Sequence, residues 1–369
     1  MNLAAFGIRS FPPKAGAAGA DTFAYQLFSR LQHIGYSILI FEKGKKFSTT
    51  QYSENIKVIT IPTIGSGGIS TFIHSMCCSI YIAFSKAEVV HTQNGGNALF
   101  CIFLTLVGKK CFCSFDGIDK DRKAWGLIGK IYLSFSEWIA NSMGKRLIVD
   151  NIPTKEYLYQ KYNKSNSYIP FGSDQSFNPV TSNPIYNFID KNMKYILFVG
   201  RFVEDKGIDI LINAFLKLNL NTHKLIIIGG PSEKSTKYSE FILSKASKSI
   251  IFPGFYYGNE IEKIIQDADL YVQPSYIEGL SPVILQVVGI GTNILVSDIN
   301  ANKVIVKNEK FHFKCGDEDD CALKIKDIIK NKHDYIDEYN DLKMEVLSKY
   351  SWDEVASDHD NLFRKALNH

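Results

Sequence analysis

The chain has 369 residues, more than one hydrophobic core usually organises, so two domains are expected. An apolar content of 45% with 22% charged residues is ordinary for a globular protein and excludes a disordered chain, a collagen-like repeat and a membrane bundle. The net charge of +4 is unevenly spread: residues 1–172 hold 19 Lys and Arg against 10 Asp and Glu, and the remainder holds 23 against 28.

In chain order, the first half alternates short apolar strands with helical stretches, the pattern of βαβ units around a parallel sheet. Strands are predicted at 2–8, 37–41, 58–61, 88–92, 110–115 and 146–149. A helix is predicted over 22–35, where Phe23, Leu27, Leu31 and Ile34 recur at helical spacing. The longest apolar run, Ala98 to Val107, is about half of the ~20 residues a bilayer crossing needs. The N-terminus has no basic leader before a long apolar core, so a cytoplasmic location is expected. The seven cysteines, at 77, 78, 101, 111, 113, 315 and 321, lack metal-ligand spacing and read as reduced structural thiols.

The stretch 169–184 is rich in Pro, Gly, Asn and Ser and reads as a linker, which sets a boundary near residue 173. The strand pattern then restarts at 195–199, with a helix near 208–218 and strands at 224–228, 250–252, 270–273 and 293–296. The expected architecture is α/β with three parts: an N-terminal domain over 1–172, a second domain over 173–345, and a terminal helical segment over 346–369.

Two segments carry the chemistry. In Ile196-Leu-Phe-Val-Gly-Arg201-Phe-Val-Glu-Asp-Lys206-Gly207, a strand runs through a loop into a helix, whose free N–H groups and positive dipole end suit phosphate oxygens. Arg201 and Lys206 flank that entrance with two cations, as a departing diphosphate requires. The alternative is a strand-turn-helix with two surface cations. In Gln273-Pro-Ser-Tyr-Ile-Glu278-Gly279-Leu280-Ser281, a strand ends before a loop carrying Glu278, where open α/β sheets bind ligands. Gln286 lies eight residues, about two helical turns, beyond Glu278 and can also face a cleft. Against this, Glu278 suits a helix-entry carboxylate and Gln286 a surface amide.

Together, Gly-Arg-x4-Lys-Gly followed by Pro-Ser-x2-Glu-Gly-x6-Gln resembles the donor half of family-4 glycosyltransferases. Tyr350-Ser-Trp352-Asp-Glu-Val is similar to the opening of the C-terminal helix that crosses back to the first domain in GT-B proteins. In the first half, Gly7-Ile-Arg9-Ser-Phe-Pro12-Pro13, Gly19-Ala-Asp21-Thr-Phe and Asp116-Gly117-Ile-Asp119-Lys-Asp-Arg122-Lys123-Ala-Trp125 resemble bacterial rhamnosyltransferase-like surface-polysaccharide glycosyltransferases.

The resemblance implies a GT-B fold, with two Rossmann-like domains facing a central cleft, an acceptor domain first and a nucleotide-sugar domain second. It implies a retaining transfer of a hexose or deoxyhexose from a UDP-, dTDP- or GDP-linked donor to a lipid-linked or oligosaccharide acceptor. Arg201 and Lys206 would hold the donor diphosphate, approached from the first domain by the backbone at Gly19. Glu278, Gly279, Leu280 and Ser281 would meet the donor sugar. Gln286 stands where the family's second Glu binds the ribose, a departure in which the amide can still accept from a ribose hydroxyl through its carbonyl, with an altered nucleotide preference.

Asp116 follows the strand 110–115 at the position where many relatives place His, and would accept the acceptor's proton or stabilise positive charge. A turn-capping Asp is the alternative. Asp119, Arg122 and His91 are expected on the acceptor side, with His91 also suiting a structural hydrogen-bonding role. No metal or other cofactor is expected, because cations and helix dipoles neutralise the diphosphate. The positive N-terminal half points to an anionic membrane surface, against the alternative of a solvated lysine face; no nucleic-acid motif accompanies the charge. A sugar-nucleotide epimerase or phosphorylase of the same architecture, and an inactive donor-binding partner of another transferase, are the competing functions.

Overall fold

The structure is a computed structural model that describes residues 1–14, 19–63, 65, 67–115, 126–174, 182–231 and 236–368. It divides into two compact units, Met1–Phe171 with Trp352–His369, and Gly172–Ser351.

The first unit runs β1 (Asn2–Phe6), α1 (Gly19–Leu31), β2 (Ser37–Gly44), β3 (Ser48–Gln51), β4 (Ile56–Pro62), α2 (Gly67–Ala83), β5 (Val89–Gln93), α3 (Ala98–Leu106), β6 (Lys110–Phe115), α4 (Leu127–Ser142), β7 (Leu147–Val149), α5 (Ile152–Tyr162) and β8 (Ser167–Tyr168). Its sheet has the order β3-β4-β2-β1-β5-β6-β7-β8 and is parallel throughout except at β3, which pairs antiparallel with β4. Strands covered on both faces read as apolar runs, and β1 is Asn-Leu-Ala-Ala-Phe with its last four residues buried. Right-handed crossovers put α1 on one face and α2, α3 and α4 on the other. Cys78, Ile82, Phe100 and Leu104 accordingly pack on Ala4, Phe6, Phe41 and Ile59.

The second unit continues with β9 (Lys194–Phe202), α6 (Ile208–Leu218), β10 (His223–Pro231), α7 (Thr236–Leu243), β11 (Ile250–Gly254), α8 (Gly258–Asp267), β12 (Leu270–Gln273), α9 (Pro282–Ile290), β13 (Ile294–Ser297), α10 (Asn300–Ile305), β14 (His312–Phe313), α11 (Glu318–Asn331) and α12 (Ile336–Lys349). Its parallel sheet has the order β11-β10-β9-β12-β13-β14. The order reverses between β9 and β12, and the loops after those two strands therefore border the switch-point crevice.

The last helix, α13 (Trp352–Leu367), returns to the first unit. Position 346, where the sequence suggested the return begins, falls inside α12, because Tyr339, Leu342 and Val346 are buried in the second unit. On α13 the buried residues are Trp352, Val355, Ala356, His359 and Phe363. Phe363 meets Phe112 of β6 at 4.7 Å between ring centroids, Trp352 lies 5.6 Å from Phe23 of α1, and Tyr36 donates to Asp360 at 2.6 Å.

A candidate site at the switch point of the second unit

After Phe202 the chain makes a single turn over Glu204–Lys206 and enters α6 through Gly207, whose φ is +59°. A Cβ at Gly207 would stand 2.3 Å from the carbonyl oxygen of Pro274, so the close approach of the two loops requires glycine. The loops are also tied by Tyr276 N, which donates to the Asp205 carbonyl at 2.8 Å. The loop after β12 then enters α9, where the buried Ser281 hydroxyl accepts from Ile284 N at 3.4 Å and Pro282 fills the first helical turn.

This arrangement brings Lys206 and Glu278 together across 72 residues of sequence. Lys206 Nζ donates to Glu278 Oε1 at 2.5 Å, with the two side chains 19% and 10% exposed. The same oxygen accepts from Gln273 Nε2 at 2.5 Å and from Ser275 Oγ at 2.7 Å. Gln273 also donates to Ser275 Oγ at 2.9 Å, and its own amide oxygen accepts from the Tyr271 hydroxyl. Complete burial, followed by the nearby Glu278 charge, pushes the Tyr271 phenol far above its ordinary range, so it stays a donor. Glu278 is thus fixed by one cation and two neutral donors.

Tyr271, Gln273 and Ser275 were not among the expected site residues. They alternate on β12 and its continuation, so they share one side of the strand, and a glutamine at the end of a buried strand is the signal that points to them. Arg201 is exposed on β9, in register with Gly230. Gly279 is exposed, Leu280 is buried, and Gln286 is half-buried on α9. The Ser281 hydroxyl serves the helix cap instead of facing outward. The first turn of α6 is not bare either: Tyr238 accepts from Asp209 N at 3.3 Å and donates to the Asp209 carboxylate at 2.6 Å.

In the first unit, Gly19 opens α1. A concavity at the carboxyl ends of β5, β6 and β7 is lined by Ala20, Phe23, Gln93, Ser114, Phe115 and Asp150, among others. His91 does not serve an acceptor: it is fully buried, bonds Ser114 Oγ at 2.9 Å, and its ring packs among Phe23, Phe28 and His359. Alternation along β5 turns it toward α1 and α13, because Val90 packs on the opposite face. Asp116, Asp119 and Arg122 lie outside the described residues. Among the described residues there is no group of three or more His, Cys, Asp or Glu placed to hold a metal ion, and no helix is long and apolar enough to cross a membrane.

Two parallel, doubly wound units with a helix returning to the first define the GT-B class of fold. Over its whole length the chain superposes on sucrose-phosphate synthase from Thermosynechococcus elongatus with a TM-score of 0.79 at 16% identity, covering 100% of this chain and 99% of that one. Residues 182–344, which lie within the second unit, match the family Glycosyl transferases group 1. An uncharacterised glycosyltransferase of Methanocaldococcus jannaschii is 28% identical over 48% of this chain and 47% of its own length. The UDP-Gal:alpha-D-GlcNAc-diphosphoundecaprenol alpha-1,3-galactosyltransferase of Escherichia coli is 25% identical over 79% of each chain. The chain spans about half the length of the first curated relatives it matches.

Proposed function

We propose that the chain is a retaining, metal-independent glycosyltransferase of the family-4 type. It transfers a hexose or deoxyhexose, rhamnose included, from a UDP-, dTDP- or GDP-linked donor to a lipid-linked or oligosaccharide acceptor in surface-polysaccharide assembly. The observation that carries the reading is the Lys206–Glu278 pair, held at 2.5 Å on the switch-point loops of a Glycosyl transferases group 1 domain. A galactosyltransferase acting on a diphosphoundecaprenol-linked sugar among the relatives supports the acceptor class.

In this reading the second unit binds the donor. Lys206 stabilises negative charge as the glycosyl bond to the diphosphate breaks, and exposed Arg201 supplies a second cation. Glu278 keeps its second oxygen for a donor-sugar hydroxyl while three donors hold the first. Gln286 takes the ribose. The first unit takes the acceptor, with Asp116 receiving the acceptor's proton. The positive charge of the first half supports a peripheral position at the inner face of the cytoplasmic membrane.

Purified protein incubated with a panel of nucleotide sugars and a diphospholipid-linked sugar, followed by mass spectrometry, tests the reading. Loss of one donor with matching gain of a hexose or deoxyhexose on the acceptor is expected, unaffected by EDTA. Donor binding without turnover on any acceptor would instead make the chain a binding partner of another transferase.

A further inference from the structure

The helices α2, α3 and α4 are apolar on their outer sides as well as their inner ones. α2 and α3 contain no Lys, Arg, Asp or Glu, and α4 contains Lys130 and Glu137, of which Glu137 is buried against Lys161 at 2.6 Å. On the outer side Phe84 is 90% exposed, Ile128 85% and Leu106 81%, joined by Ile69, Phe135 and Trp138. A helix apolar all round is ordinarily buried, and so broad a patch over neighbouring helices marks an interaction surface.

The rim of this face is basic. Lys86, Lys130 and Lys145 are exposed, and Lys110 and Arg146 are half-buried. Of the acidic residues described between 67 and 146, Glu137 is buried and Glu88 accepts from Asn2 N at 3.3 Å. A two-fold pairing of copies through this face would set lysine rim against lysine rim. An anionic bilayer offers what the face lacks, hydrocarbon beneath the apolar side chains and phosphates around the cations. The helices, of 17, 9 and 16 residues, are too short to span, while the exposed aromatic rings suit the boundary between headgroups and chains.

We propose that the outer face of α2, α3 and α4 docks into the surface layer of an anionic lipid bilayer, with Phe84, Leu106, Ile128 and Trp138 reaching the acyl chains. The proposal rests on the membrane part of the reading above, not on its transfer chemistry, and changes the mode of contact. Charge alone gives adhesion that salt dissolves, whereas buried apolar side chains hold when the charges are screened.

The test is flotation of the full chain with vesicles of phosphatidylcholine alone or mixed with phosphatidylglycerol, from physiological to molar salt. Wild type should float with the anionic vesicles and remain largely bound in molar salt. The triple variant Phe84→Ser, Leu106→Ser, Ile128→Ser should lose binding by about tenfold or more, while its thermal transition and elution volume stay those of wild type. Lipids brominated in the acyl chains should quench wild-type fluorescence, and Trp138→Phe should remove that quenching. Binding that salt abolishes and the triple variant retains would overturn the inference but leave electrostatic membrane contact standing. No flotation at any salt would defeat both. A dimer that the triple variant dissociates, with no vesicle binding, would assign the face to a second copy.

Discussion

At the scale of single residues, the polar cluster behind Glu278 makes strong demands. Lys206→Ala should remove about 2–4 kcal/mol of transition-state stabilisation, the scale of one preorganised electrostatic contact. Steady-state kinetics with the accepted donor checks this, and near-wild-type turnover would show that Lys206 is only a structural partner of Glu278. Tyr271→Phe takes the donor from Gln273 Oε1 in a fully buried place. It should lower stability by about 1–3 kcal/mol, the cost of leaving one buried polar group unpaired, read from urea unfolding. The order and spacing of their motifs pointed to Lys206 and Glu278 separately, but not to their pairing across 72 residues of sequence. Tyr271 and Gln273 were not legible, because a buried polar side chain on a strand looks like a propensity exception until its partner is seen. His91 stayed open between an acceptor-side and a structural role for a related reason: its place on a strand says nothing about which face of the sheet it enters.

Among the elements, the turn from β9 into α6 is tightly specified. Gly207→Ala would need a positive φ for a residue with a Cβ and would press that Cβ into Pro274, so the two loops would separate. Loss of activity with a destabilisation of about 1–3 kcal/mol is expected, checked by assay and by calorimetry on the same preparation. The docking of α13 carries a pH dependence. Burial lowers His359 to about 4, and burial with the neighbouring His359 also holds His91 well below its ordinary range. Both rings are neutral when folded, whereas the unfolded chain protonates near 6.5. Stability is therefore fully present above pH 6.5 and is lost as pH falls toward 4, by up to about 3 kcal/mol from His359. Calorimetry across that range should show a falling transition for wild type and a flatter one for His359→Leu. Strand pattern revealed the central strands of both sheets, but not β3, whose Ser-Thr-Thr-Gln is exposed throughout, nor the two-residue β14. Edge strands lack the apolar run by which a buried strand is recognised.

For the whole molecule, the restart of the strand pattern near 195 made two units legible, while the sheet orders depend on pairings between distant segments that local pattern does not encode. A donor held by the second unit should raise the thermal transition by mass action. Of the UDP-, dTDP- and GDP-linked sugars, only the accepted class should do so at low concentration, and a shift by none would leave the donor reading without support. The return of α13 has a consequence for how the protein is made. The second unit is one unbroken stretch of chain, Gly172–Ser351, so it has every residue it needs before the first unit does. The first unit, though its strands leave the ribosome earlier, must wait for Trp352, His359 and Phe363 to cover Phe23 and Phe112. A nascent chain stopped at Ser351 should therefore hold a protease-resistant second unit beside a first unit that is still cleaved readily, an order of maturation opposite to the order of synthesis.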